Sequence, residues 1–259
     1  MKNEVGVVVS RYYEDLTWIH DLKAPIDVYV YNRNGESPGM GVPHAVSWAK
    51  PKDHNDLLGG LNIDTCKENG INLQIIDIED DPGFEASTYS YHMYSKYDEL
   101  NDHTVFIQGH PEIYMKNVIG ILNDPGKIKY TSYVKNPSGN TSPCTAVIKD
   151  SLIDFEAFSD CYAVLNPHED YQWSLYRDDF SKAPWIHFCK YIPENAWEFG
   201  AGNQFIASKN LIHRNDKDFY LEVQKFTNSY MDPNGDSRPH WQQLNQGPNI
   251  LEGIWKLIF

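Results

Sequence analysis

The stretch that decides the fold is residues 5–32, VGVVVSRYYEDLTWIHDLKAPIDVYVYN. Residues 5–10 are apolar and β-branched between polar neighbours, which predicts a buried strand. Residues 14–21 predict a short helix, and residues 27–32 predict a second strand because valine and tyrosine alternate along it with a period of two. A strand, a helix and a strand within about thirty residues form a βαβ unit, for which parallel pairing is the usual solution.

The alternation of strands and helices continues along the chain. Strands are predicted at 73–78, 103–108 and 203–208, helices at 56–61, 85–100, 112–122 and 216–227, mostly turns at 124–143, and a docked apolar segment at 250–259. Regular alternation in the first half indicates a doubly wound sheet. We therefore expect an α/β fold in which one mixed sheet is flanked by helices, with residues 1–259 forming a single domain.

Composition and charge narrow the classes of function. The chain has 259 residues, and its 22 Lys plus Arg against 36 Asp plus Glu give a formal net charge of -14. A charge of this sign repels a phosphate backbone and argues against nucleic acid as a partner. No stretch approaches the roughly 20 apolar residues of a membrane span, and the first apolar run is too short for a signal peptide, so we expect a soluble cytoplasmic protein.

Four passages, in their order, carry a resemblance. They are VVVSRYYEDLTWI with DVYVYNR (7–19 and 27–33), EASTYSYHMYSKYDELNDHTVFIQG (85–109), WEFGAGNQFIASKNLIHRNDKDFY (197–220) and LEGIWKLIF (251–259). Together they resemble a family of bacterial, fungal and viral proteins, a domain of unknown function that is regarded as related to sugar transferases. The family's features are a TYL-like helix, a strand that ends in FxQG and a terminal ExxWxxIF.

This resemblance implies a fold like that of the A-type (GT-A) glycosyltransferases, which is Rossmann-like. Residues 1–122 would then form a nucleotide-binding half and residues 123–259 an acceptor-binding half. The donor would be a nucleotide sugar, and the partner would be a glycan or a small-molecule acceptor. The chain departs from the pattern after FIQG, because it has His110-Pro111-Glu112 where an A-type transferase has its Asp-x-Asp metal motif.

In an open α/β sheet the ligand lies beyond the carboxyl ends of the strands. The residues that follow the first, second and fourth strands are therefore expected to bind the nucleotide. They are Ser10, Arg11, Tyr12, Asn32, Arg33, Gln108 and Gly109. Arg11 has the forked geometry that pairs with phosphate, and Tyr12 can stack on a base, although a surface arginine beside a packed tyrosine is the alternative interpretation.

His110 and Glu112 form a candidate half-site for Mn²⁺ or Mg²⁺, since an imidazole and a carboxylate lie two residues apart. Two ligands are too few, so a third is expected from His240, Asp80 or Asp81. The alternative is that Pro111 simply turns the chain here.

Sugar transfer also needs a base for the acceptor hydroxyl. Glu198, which precedes a Gly-Ala-Gly turn, is the first candidate, because glycines let the backbone approach a substrate. Glu252 in the terminal motif and Glu85 at a helix start are the rivals, and Glu85 can instead act as a helix cap.

The leading hypothesis is a glycosyltransferase-like enzyme that moves a sugar from a nucleotide donor to a hydroxyl of a glycan or small acceptor. One alternative is a binding protein for sugars or nucleotides that has the fold without catalysis. Another is a transferase that acts on hydroxymethylated DNA bases, against which the negative charge speaks.

Overall fold

The structure is a computed structural model in which only part of the chain is described. The described residues are 2–11, 14–23, 25–33, 60–78, 84–124, 128, 131–135, 144–148, 154–157, 162–165, 185–191, 197–200, 203–229 and 247–259. Tyr12, most of the region predicted as the 56–61 helix, and the three candidates for a third metal ligand lie outside them. In the described part, no helix is both long and apolar enough to cross a bilayer.

The bounds of the elements follow from the backbone hydrogen bonds. The strands are β1 (Val5–Arg11), β2 (Asp27–Arg33), β3 (Asn72–Ile78), β4 (His103–Gln108), β5 (Thr131–Lys135), β6 (Cys144–Ile148), β7 (Phe155–Ala157), β8 (Tyr162–Leu165), β9 (Trp197–Gly200) and β10 (Phe205–Ser208). The α-helices are α1 (Ile63–Glu68), α2 (Phe84–Ser95), α3 (Val118–Leu122), α4 (Lys209–Ile212), α5 (Lys217–Ser229) and α6 (Gly247–Ile258).

Six of these strands form one mixed sheet in the order β3-β2-β1-β4-β10-β7. The first four are parallel to one another, whereas β10 is antiparallel to both of its neighbours. The pairs β5–β6 and β8–β9 are separate antiparallel ribbons. An α/β fold built on a mixed sheet is confirmed, and strands from both halves of the chain belong to the same sheet.

Helices cover both faces of the sheet. A 3-10 helix, Thr17–Asp21, lies with α1 and α3 against the face that carries Val28 and Val30. The helices α2, α5 and α6 cover the opposite face, which carries Tyr29 and Tyr31. The period of two predicted for β2 is therefore confirmed, since its valines and tyrosines enter different cores.

The crossovers change face where the strand order changes direction. From β1 to β3 the chain moves one way across the sheet, and the described helices of these crossovers, the 3-10 helix and α1, lie on the valine side. From β3 to β4 it moves back past β1, and α2 lies on the tyrosine side. Crossovers of one hand require this change of side, so the fold is doubly wound as predicted.

Several predicted bounds were wrong for local reasons. The helix α1 begins at Ile63 because the Asn62 side chain accepts hydrogen bonds from the first-turn amides, so Leu61 lies before the helix. The region predicted as one helix at 112–122 is a 3-10 turn, Pro111–Ile113, followed by α3. The predicted 85–100 helix ends at Ser95 and is followed by a second 3-10 turn, Tyr97–Glu99. The turn-rich 124–143 region contains β5.

The C-terminal segment docks on the body of the protein as predicted. It forms α6, whose buried side chains are Leu251, Ile254, Trp255, Leu257 and Ile258. They pack in the same core as α2 and α5.

Asp27 anchors the amino ends of the central strands. Its side chain is fully buried and accepts hydrogen bonds from the amides of Asn3, Asn72 and Asn101 at 2.6–3.2 Å. Asn101 also occupies the space beside Gly6, where a Cβ would lie only 2.4 Å from its Oδ1. One carboxylate thus ties together the segments at the amino ends of β1, β2, β3 and β4.

We expect Asp27→Ala to lower the free energy of unfolding by about 3 kcal/mol, because buried amide donors would lose their acceptor. Urea denaturation followed by circular dichroism measures the change. Asp64→Ala is the control, since the side chain of Asp64 is 88% exposed. An equal loss in both variants would contradict the anchoring role of Asp27.

His92 on α2 is a fully buried histidine among aromatic rings. Its Nδ1 lies 2.9 Å from the hydroxyl of Tyr31, and the rings of Tyr29 and Phe106 flank it. Burial, with the positive charges of Lys2 and Lys96, lowers the pKa of His92 to about 3. The fold therefore holds this imidazole neutral.

Because the pKa of His92 is lower in the folded protein than in the unfolded chain, its stabilising effect is complete above pH 6.5 and is lost as the pH falls toward 3. The unfolding free energy should fall by about 1.4 kcal/mol per pH unit across this range from His92 alone. His92→Asn should flatten that slope in urea titrations, whereas His187→Asn, an exposed control, should leave it unchanged. Equal slopes in all three proteins would refute the assignment.

Candidate functional site

The candidate site lies where the parallel strands end. The strand order reverses between β1 and β4, and a doubly wound sheet binds its ligand outside the carboxyl ends of the strands at such a reversal. Ser10 of β1 and Gln108 of β4 are paired across this point. We call the ends of β1 to β4, together with the residues that contact them, the carboxyl edge.

A row of polar side chains crosses the carboxyl edge on the valine side of the sheet. Arg11, Asn32 and Asp77 are register partners on β1, β2 and β3. The Arg11 Nη1 donates to Asn32 Oδ1 at 2.5 Å, and the Asn32 Nδ2 donates to Asp77 Oδ1 at 2.9 Å. The amide thus links a buried guanidinium to an exposed carboxylate.

Arg11, which was predicted to pair with phosphate, is almost fully buried. It is 2% exposed, and its Nε donates to the backbone carbonyl of Glu14 at 2.9 Å. Two of its donor nitrogens are thus engaged inside the protein. The interpretation of Arg11 as a surface arginine was wrong, because its side chain is buried and hydrogen-bonded within the protein.

Ser10 faces the other side of the sheet. It is 4% exposed, and its hydroxyl donates to Thr88 Oγ1 of α2 at 3.1 Å. Gln108, its partner on β4, is half-buried. Ser10 therefore connects the carboxyl edge to α2 and contributes little accessible surface of its own.

Glu14 lies against the end of β4. A Cβ built on Gly109 would meet Glu14 Oε2 at 2.8 Å and Glu14 Cβ at 2.9 Å. The Gly109 carbonyl accepts a hydrogen bond from the indole of Trp18 at 2.9 Å. Only a glycine at position 109 lets Glu14 come this close to the end of β4. Residues 14–18 and the end of β4 therefore form one continuous wall where the strand order reverses.

The neighbour of Glu14 adds a second carboxylate to this wall. Burial tends to raise the pKa of Asp15, but the hydrogen bonds from Thr17 and the nearby His110 and His20 together lower the pKa of this carboxyl below its usual value. Asp15 is therefore held as an exposed anion.

His110 and Glu112, the candidate half-site, contact each other. The His110 Nε2 lies 3.0 Å from Glu112 Oε1, and the two side chains are 38% and 42% exposed. This distance is that of a direct hydrogen bond between the two groups. Within the described ranges, no set of three His, Cys, Asp or Glu side chains is arranged to hold a metal ion. Metal dependence stays a prediction.

The amino end of β10 completes the carboxyl edge, because β10 is antiparallel to β4. The Gln204 Nε2 donates to the Pro111 carbonyl at 3.4 Å, and Asn203 Oδ1 accepts from the indole of Trp255 at 2.6 Å. Gln204 and Asn203 are 1% and 5% exposed.

The other predicted site residues are placed only in part. Glu85 is half-buried in the first turn of α2, which starts at the carboxyl edge. Glu198 belongs to β9 and Glu252 to α6, and β9 packs against α6. The side chains of both, and that of Arg33 at the end of β2, lie outside the described part. Their roles stay predictions.

Sequence reasoning missed Glu14, Asp77, Asn203 and Gln204. A signal existed for Glu14, since the segment that follows β1 must leave the sheet at the carboxyl edge. No local signal marks Gln204, which comes to this edge through antiparallel pairing across about a hundred residues.

No protein-family model matches this chain, and a comparison with curated proteins found no match.

We expect Gly109→Ala to cost about 1–3 kcal/mol of unfolding free energy, because the new Cβ overlaps Glu14. Glu14→Gly removes the overlapping atoms, so the same change should cost less in that background. Denaturant unfolding of the four proteins of this double-mutant cycle measures the difference. Strict additivity would show that the two residues are not in contact.

Proposed function

We propose that the protein is a glycosyltransferase-like enzyme with an A-type fold, which moves a sugar from a nucleotide-sugar donor to a hydroxyl of a glycan or small acceptor. The observation that supports it most is the doubly wound sheet. Its strand order reverses between β1 and β4, and polar side chains of the carboxyl edge lie next to this reversal. Such a reversal is the usual place for a nucleotide in an open α/β sheet.

In this proposal the nucleotide lies along β1, β2 and β3. Asp77 is exposed at the end of β3, and a carboxylate there can accept hydrogen bonds from ribose hydroxyls, as acidic residues do in other nucleotide-binding sheets. Arg11 and Asn32 orient Asp77 through their hydrogen bonds and bring a positive charge to this side of the edge. The donor would thus extend from β3 toward β4.

Transfer forms a bond between the acceptor oxygen and the anomeric carbon, and it breaks the bond from that carbon to the diphosphate. The acceptor proton must pass to a base. Glu14 lies at the reversal point itself, and Glu112 and Glu85 lie close to the carboxyl edge. Glu14 joins Glu198, Glu252 and Glu85 as a candidate for this role.

One observation favours a binding protein without catalysis as the second candidate. His110 and Glu112 engage each other where the A-type fold has its metal motif. A protein that binds a nucleotide sugar without turnover would be consistent with this pairing. A DNA-modifying transferase is less well supported, because the net charge of -14 repels the duplex.

A thermal-shift screen of nucleoside diphosphates and their sugar conjugates, with and without Mn²⁺, tests the proposal. A donor at about 100 times its Kd should raise the melting temperature by roughly 5–10 °C. Hydrolysis of the donor should then be detectable for an enzyme and absent for a binding protein.

Two variants sharpen this test. Asp77→Asn should weaken donor binding, whereas Glu99→Gln, a 76% exposed control that precedes the amino end of β4, should not. Failure of every nucleotide to shift the melting temperature would overturn the proposal.

A further inference from the structure

Asn203 has an unusual backbone conformation at the carboxyl edge. Its φ is 56°, and in the described part of the chain it is the one residue other than glycine with a positive φ. Asn tolerates this left-handed region better than most residues, but buried residues keep it only when their surroundings hold them there. The surroundings here are supplied by the C-terminal helix.

The indole of Trp255 provides the contact. Its Nε1 donates to Asn203 Oδ1 at 2.6 Å, and the bond is buried. The ring packs against Phe205 at 5.0 Å between centroids and stacks with Phe259 at 6.0 Å. Trp255 is 2% exposed, so its indole N–H is fixed in direction by the core around it.

The residue after Asn203 reaches the candidate site. Gln204 donates to the carbonyl of Pro111. Pro111 lies between His110 and Glu112 and is the first residue of the 3-10 turn. A continuous set of hydrogen bonds and covalent neighbours thus runs from α6 to the His110–Glu112 pair. On the other flank of β4, the indole of Trp18 holds Gly109 in a similar way.

We infer that Trp255 is a positioning residue for the candidate site. Its indole N–H holds the 203–204 backbone, and this backbone sets the position of the turn that carries His110 and Glu112. The inference rests on the proposed function only in taking the carboxyl edge as the place where the ligand binds. The C-terminal helix then shapes the site from a distance, in addition to covering the core.

A purely structural role for Trp255 would depend on its ring and not on its N–H group. Trp255→Phe keeps an aromatic ring against Phe205 and removes the donor. Asn203→Gly keeps the left-handed conformation accessible and removes the acceptor. Leu257→Val is the matched control, because it changes the packing of another buried residue on the same helix and leaves the two hydrogen-bond partners and the ring that stacks on Trp255 unchanged.

The experiment records ¹H–¹⁵N spectra of the His110 ring and the Gln204 side-chain amide in the full-length chain, with melting temperatures as a check of folding. The signals of both groups should move in Trp255→Phe and in Asn203→Gly, and they should stay in place in Leu257→Val. The double variant should resemble either single one, because both remove the same bond. Unchanged His110 and Gln204 signals in both single variants would overturn the inference.

Binding of UDP-glucose and GDP-mannose to the same proteins adds the functional readout. For a donor that binds the wild type, affinity should fall about two- to tenfold in Trp255→Phe, the range expected for one hydrogen bond. Unchanged affinity for such a donor would also overturn the inference. Absence of binding to the wild type would count against the proposed function alone, since the spectra still decide the role of Trp255.

Discussion

The parallel register of β1 between β2 and β4 is the constraint on which the rest of the structure depends. Every residue of β1 is buried, so this strand must be paired on both sides and covered on both faces. Covering both faces with crossovers of one hand forces the strand order to reverse beside β1. The reversal brings the ends of β1 and β4 together and leaves the residues after them at one edge. The candidate site is thus a consequence of how the central strand is buried.

At both ends of the central sheet, asparagine side chains form hydrogen bonds to a buried charged group. At the amino end, the carboxylate of Asp27 is surrounded by the side chains of three asparagines. At the carboxyl end, the guanidinium of Arg11 donates to Asn32. A buried ion is costly unless its hydrogen bonds are satisfied, and an asparagine amide satisfies them without adding another charge. These bonds also fix the strand ends relative to one another, which keeps the carboxyl edge in a defined geometry.

The two flanks of the carboxyl edge differ in charge. On the flank formed by β1 to β3 the positive charge of Arg11 lies in the same row as the carboxylate of Asp77. On the flank formed by β1 and β4 lie the carboxylates of Glu14, Asp15 and Glu112. Two buried tryptophans, one on each side of β4, hold the backbone of the second flank.

The sequence by itself determined the four parallel strands, β10 and α5, and it determined which face of β2 enters each core. Alternation in residues 27–32 predicted which β2 side chains enter each core, and the apolar segment 250–259 was bound to dock. Periodicity reports how one element meets its surroundings, so it is readable locally. Tertiary structure alone decided which elements meet. Trp18 reaches Gly109 across 91 residues, and Trp255 reaches Asn203 across 52. Such contacts depend on strand order and packing of the whole sheet, and no local pattern encodes them.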